Sequence, residues 1–205
     1  EYINVWGRFT FLLPFAALFV FMKGVPVIKP GFALACVAFG ASQTISTLAL
    51  SKALKLAEIS MVTALWKVSL LVLLGLGYVT LKEAPTLLGI AGVLLSMSGV
   101  YLLNVSRAHL SPWAPLVVLF TDRGLRYTLL AALFFAPSVV TIKWAILLSD
   151  PYMGTLGGYI AASLMVTPLV LVTSRRHFAQ VPRHWKAFFG LGLFAALTTV
   201  TQGTA

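Results

Sequence analysis

Acidic residues are scarce in this chain: five Asp and Glu among 205 residues, with charged residues of either sign making up only 10%. A soluble domain carries about 25%, so this chain cannot cover a water-facing surface with charge, and ordinary soluble folds are excluded. Cysteine is almost missing. The one Cys36 lies inside an apolar stretch, which excludes an internal disulfide and a Cys-based metal cluster. The acids Glu1, Glu58, Glu83, Asp122 and Asp150 all fall at the ends of apolar runs, and His109, His177 and His184 fall in loops. No acid pair and no His–carboxylate set is expected to meet inside the fold, so neither an enzyme nor a bound cofactor is expected.

What is abundant is apolar surface, with 60% hydrophobic residues and a mean hydropathy of +0.96. Flanking charges, Gly and Pro mark seven apolar segments, at residues 2–22, 31–56, 59–80, 86–103, 125–148, 154–173 and from 185 to the end. At 1.5 Å per residue, segments of roughly 18 to 26 residues reach about 27 to 39 Å, enough for a hydrocarbon layer of about 30 Å. Transmembrane β-strands would alternate apolar and polar residues, and residues 70–79 (LLVLLGLGYV) and 87–95 (LLGIAGVLL) do not. The expectation is an all-α, multi-pass integral membrane protein, a helical bundle of seven visible transmembrane helices with the lipid bilayer as its surroundings.

The net charge of +10 does not point to nucleic acid, because most basic residues lie in short loops between apolar runs rather than on one face of a folded domain. There they orient helices instead. Loops around residues 52–58, 104–126 and 174–186 carry nine Lys and Arg, while 23–30, 82–85 and 149–154 carry three. This bias places the first set in the cytoplasm.

The longest connection, residues 105–124, holds Pro112 and Pro115 and divides the chain into 1–104 and 125–205. Its apolar piece from Pro112 to Phe120 is too short to cross a bilayer and is expected along the interface. A shift that places Pro14 on Pro168 also places Val27 on Val181 and Thr44 on Thr198. Both halves then show an apolar helix with an internal Pro, a basic loop, and a helix that turns polar midway, the pattern of an inverted repeat.

Residues 49–104 carry Ala-Leu pairs before the third segment, a Leu-x-Glu turn at Leu81 to Glu83, and Gly89, Gly99 and Val100 along the fourth segment. In these features the chain resembles the EamA-type transporters of the drug/metabolite transporter superfamily. Lys143 and Trp144 before the Pro151 turn resemble the opening helix of that family's second repeat. The resemblance implies two inverted five-helix repeats that move small organic solutes across a cell membrane by alternating access, without covalent chemistry. On that plan this sequence shows 1–104 as a first repeat without its first helix, 105–124 as linker, and 125–205 as a second repeat without its last two helices. A fragment expressed alone is then expected to be unstable or inactive. The third segment carries no Pro, where many members have one. The alternative is a non-transporting scaffold or subunit, and a homodimer is admitted as a partner.

Two polar stretches occupy corresponding places: Ser42, Gln43, Thr44, Ser46 and Thr47 in the second segment, and Thr198, Thr199, Thr201 and Gln202 in the seventh. A lone hydroxyl in a helix usually bonds back to its own backbone, whereas paired stretches in two halves suit a midplane site. Lys67, beside Trp66, lies well inside the third segment, where an ammonium either snorkels or faces a cavity. Lys143 sits nearer a helix end. The expected solute site therefore comprises Gln43, Thr44, Thr47, Trp66, Lys67, Lys143, Thr198 and Gln202. Gly89, Gly92, Ser96 and Gly99 are expected to form a close helix-packing seam.

Overall fold

A computed structural model describes residues 2–82, 86–108, 122–174, 178 and 181–204. The elements are α1 (Tyr2–Lys23), α2 (Phe32–Leu56), α3 (Ile59–Trp66), α4 (Val68–Leu76), a π-helical stretch Gly77–Leu81, α5 (Leu87–Ala108), α6 (Arg123–Leu147), α7 (Pro151–Thr173), a 3₁₀ turn Pro182–His184, and α8 (Trp185–Thr204). The expected all-helical class is met. Five of the stretches, Tyr2–Lys23, Phe32–Leu56, Ile59–Thr80, Arg123–Leu147 and Pro151–Thr173, are long and apolar enough to cross a membrane. That is fewer than the seven expected. In the fourth segment the apolar part among the described residues is Leu87–Ser96. The seventh, α8, opens on Trp185 and Lys186 and ends in Thr198, Thr199 and Thr201, which dilute its apolar character.

Local chemistry sets the helix ends. Gly24, with φ of 88°, follows the end of α1 and donates to Val20 O at 2.9 Å, a left-handed cap that glycine adopts without penalty. Asp122 Oδ1 accepts from Leu125 N at 2.9 Å before α6, and Asp150 Oδ1 accepts from Met153 N at 2.6 Å before α7, with Pro151 at the first helical position. Acids thus satisfy orphan N–H groups where the helix end is positive. Thr86 Oγ1 does the same for Gly89 N at 3.1 Å ahead of α5. The turn expected around Glu83 and Pro85 and the interfacial piece between Pro112 and Phe120 lie outside the described residues.

The chain packs as two compact units, one of Glu1–Thr44 with Thr141–Ala205 and the other of Ile45–Val140. In the first, α1 packs against α7 and α8. The buried positions Val5, Phe9, Leu12, Ala16 and Val20 of α1 recur at three and four residues, one helical stripe. α7 is the most enclosed helix of this unit, burying residues from Gly154 to Val170 along its length. Its approach to α2 is set by Gly40, where an added Cβ would lie 2.8 Å from backbone atoms of Ala161 and Ala162. In the second unit, Gly124 at the start of α6 lies equally tight against Ala57, and Lys52 Nζ sits 5.3 Å from the centroid of the Tyr127 ring.

Among the described residues, a Cβ at Gly92 or Gly99 would touch nothing within 4 Å, and one at Gly89 only the hydroxyl of Thr86. A seam of small residues lets helices approach, but it closes only where a second helix is present, and these glycines face none among the described residues.

Candidate functional site

The third apolar segment stays helical through its only charged residue, with one tightened turn there. α3 ends at Trp66, Lys67 N–H donates to Ala64 O at 3.1 Å, and Leu70 N–H donates to Lys67 O at 3.0 Å. Both bonds span three residues rather than four, the tight 3₁₀ pattern. Lys67 has φ of −63° and ψ of −18°. Ser69 Oγ follows by donating to Trp66 O at 2.7 Å. Beyond α4 the stretch loosens into the π-helical Gly77–Leu81 and ends at Lys82, which has φ of 54°. The Lys67 side chain is exposed, while Trp66 lies against Phe135 with ring centroids 4.9 Å apart.

The polar run of α2 is largely buried. Gln43 and Thr44 are each 8% exposed and Ser46 is 1% exposed. Two of its hydroxyls leave their own helix: Thr44 Oγ1 donates to Ala162 O of α7 at 3.4 Å, and Ser46 Oγ donates to Ala131 O of α6 at 2.9 Å. Ser42 instead bonds back to Ala38 O, and Thr47 is half-buried.

The expected residues do not all fall in one packing unit. Gln43, Thr44, Lys143 and Thr198 belong to the first, and Thr47, Trp66 and Lys67 to the second. Lys143 is exposed on α6. Thr198 is exposed too and donates to Phe194 O at 2.7 Å, the ordinary back-bond of a helical threonine. The Gln202 side chain lies outside the described residues. The chain matches no protein family, no curated protein and no solved structure with which it was compared. Geometry and chemistry therefore carry the functional argument.

Sequence reasoning missed a second polar array in the first unit, on α7. Thr155, Tyr159, Ser163 and Thr167 stand four residues apart, and this spacing places them along one helix face. Trp6 Nε1 of α1 donates to Thr167 Oγ1 at 3.1 Å, and Tyr159 OH lies 3.5 Å from Thr199 Oγ1 of α8. Phe9 and Phe39 pack edge-on to the Tyr159 ring, at centroid distances of 5.6 and 5.3 Å. The i, i+4 spacing is the signal for this array in the sequence.

Proposed function

We propose that the chain is a multi-pass membrane transporter of the EamA type, with inverted repeats at 1–104 and 125–205, which moves a small organic solute by alternating access. Five helices of spanning length and the resemblance over residues 49–104 support this reading. The observation that carries it is Lys67, the only charged residue within the spanning stretch Ile59–Thr80. Ionisable residues inside spanning helices commonly mark substrate pathways, and a scaffold has no use for a cation there. Lys67 holds the carboxylate of an anionic or zwitterionic solute, since an ammonium at that depth needs a partner or water. The protein acts without covalent chemistry in a cell membrane, with the 105–124 linker in the cytoplasm and a second copy as its possible partner.

The test is uptake of a panel of radiolabelled amino acids, small carboxylates and neutral metabolites into proteoliposomes holding the full-length protein. Saturable uptake of an anionic or zwitterionic member supports the reading. Absence of saturable uptake for every member, from protein that is folded and monodisperse, refutes it and leaves the scaffold role.

A further inference from the structure

Among the described residues of the first unit, two buried hydroxyls have no hydrogen-bond partner: Thr10 Oγ1 on α1 and Ser163 Oγ on α7. Ser163 is only 7% exposed. These are independent anomalies, because a threonine or serine inside a helix ordinarily donates to the carbonyl three or four residues back. Thr155, Thr167, Thr173, Thr198 and Thr199 all do so. A buried polar group left without a partner is costly.

The two lie at the same level. α1 and α7 run antiparallel, since Trp6 meets Thr167, Phe9 meets Tyr159 and Phe19 meets Tyr152. One helical turn onward from Trp6 is Thr10, and one turn back from Thr167 is Ser163. Pro14 removes a further donor nearby. It stands four residues after Thr10 inside α1 and has no N–H, so the Thr10 carbonyl loses the donor that a regular helix supplies. In apolar surroundings such freed carbonyls are re-satisfied by hydroxyls, neighbouring helices or ordered water. Two small side chains at one level leave more room between the helices than two large ones. The array holds two hydroxyls and one spare acceptor, the two to four partners that a buried guest needs. Its immediate neighbours, Trp6, Tyr159 and Thr167, carry no formal charge, which favours a neutral guest.

We infer that Thr10 and Ser163 bind one neutral hydroxyl group, of a water molecule or of a hydroxylated solute, between α1 and α7. The guest donates to the freed Thr10 carbonyl and exchanges hydrogen bonds with both side-chain oxygens. The site deepens the transporter reading by adding a neutral subsite apart from Lys67, yet its test does not depend on transport.

The unfolding midpoint of the protein in lipid nanodiscs is measured for Thr10→Val, Ser163→Ala and the double variant, with Thr10→Ser and Ser163→Thr as hydroxyl-retaining controls. If a guest bridges the pair, each single variant lowers the midpoint by about 2–4 °C, the double variant falls no further than the worse single, and the controls stay near the parent. If the hydroxyls are simply orphaned, removing either raises the midpoint, which overturns the inference; so do additive losses. A midpoint that rises with a neutral polyol such as glycerol or inositol, and does so only when both hydroxyls are present, assigns the guest to a solute. Coupling without that rise assigns it to water. A high-resolution structure in lipid should show density within hydrogen-bond distance of both oxygens, and direct contact between the two oxygens instead would overturn the inference.

Discussion

Gly40→Ala probes the closest approach in the first unit. An added Cβ would lie 2.8 Å from the Ala161 carbonyl carbon, 2.8 Å from the Ala162 nitrogen and 2.9 Å from the Ala161 Cβ. Optimal carbon contacts are about 3.5–4.0 Å, so α2 and α7 must part by a sizeable fraction of an ångström. Two of the atoms in the way are backbone, which cannot rotate aside as a side chain can. Overpacking costs about 1–3 kcal/mol, and the rigid neighbours place this site toward the upper end. Against it stands the helix propensity of Ala over Gly, about 1 kcal/mol. The net loss is about 2 kcal/mol, which lowers the unfolding midpoint by about 4–8 °C for a chain of this size.

The protein carries its own reporter. Cys36 is the only cysteine, is 5% exposed, and sits one turn before Gly40 on α2. Its sulfur lies so near Gly157 of α7 that a Cβ there would be 2.9 Å from it. A thiol-reactive fluorophore therefore reads the opening of this same interface. Gly40→Ala should react at lower temperature than the parent, and the 3.4 Å bond from Thr44 to Ala162, one turn further on, should be lost with the separation. If Gly40→Ala labels at the parental midpoint or above it, the close packing of α2 on α7 is wrong.

The remaining predictions use the same labelling assay except where noted. Gly92→Ala meets open space and should be neutral or stabilising by up to about 1 kcal/mol; a clear loss would reveal a helix seated on that face. Asp150→Ala removes the cap on Met153 N and should cost about 1 kcal/mol, whereas Asp150→Asn should retain most of it; equal losses would argue that charge rather than the cap matters. Lys67→Met keeps length and removes charge, so solute uptake per folded molecule in proteoliposomes should vanish while the midpoint holds or rises. Lys143→Met should reduce uptake less, and parental uptake by Lys67→Met would reduce Lys67 to a snorkelling residue.

The helical class was legible because long apolar runs admit one backbone solution when few polar groups are available to satisfy it. Helix starts were legible in part: Asp150 before Pro151 is a strong local signal, and the structure uses both residues at the start of α7. The tightened turn at Lys67 was not legible, because no Pro or Gly marks position 67. Spacing likewise says which residues share the Gly89 to Gly99 face, but only the fold says whether another helix occupies it.

The same gap between face and partner decides which polar residues matter. Most described hydroxyls spend themselves on their own helix, as Ser42, Thr63, Thr128 and Thr198 do, and composition cannot distinguish these from Thr44 or Ser46, which reach another helix. A local back-bond forms from a residue and its own turn, so it adds nothing that a neighbour can read. A bond between helices requires the two elements to arrive in register, and a buried hydroxyl with no bond at all requires that something else fill the place. Thr10 carries the one part of this visible in advance. A proline four residues later removes the donor from its carbonyl, and that deficit exists in any helical structure the chain adopts. Ser163, at the level of Thr10, became significant only once α7 had been set against α1 in the register fixed by Trp6 and Thr167. Polar sites in apolar bundles are therefore better sought from freed carbonyls outward than from clusters of Ser and Thr inward.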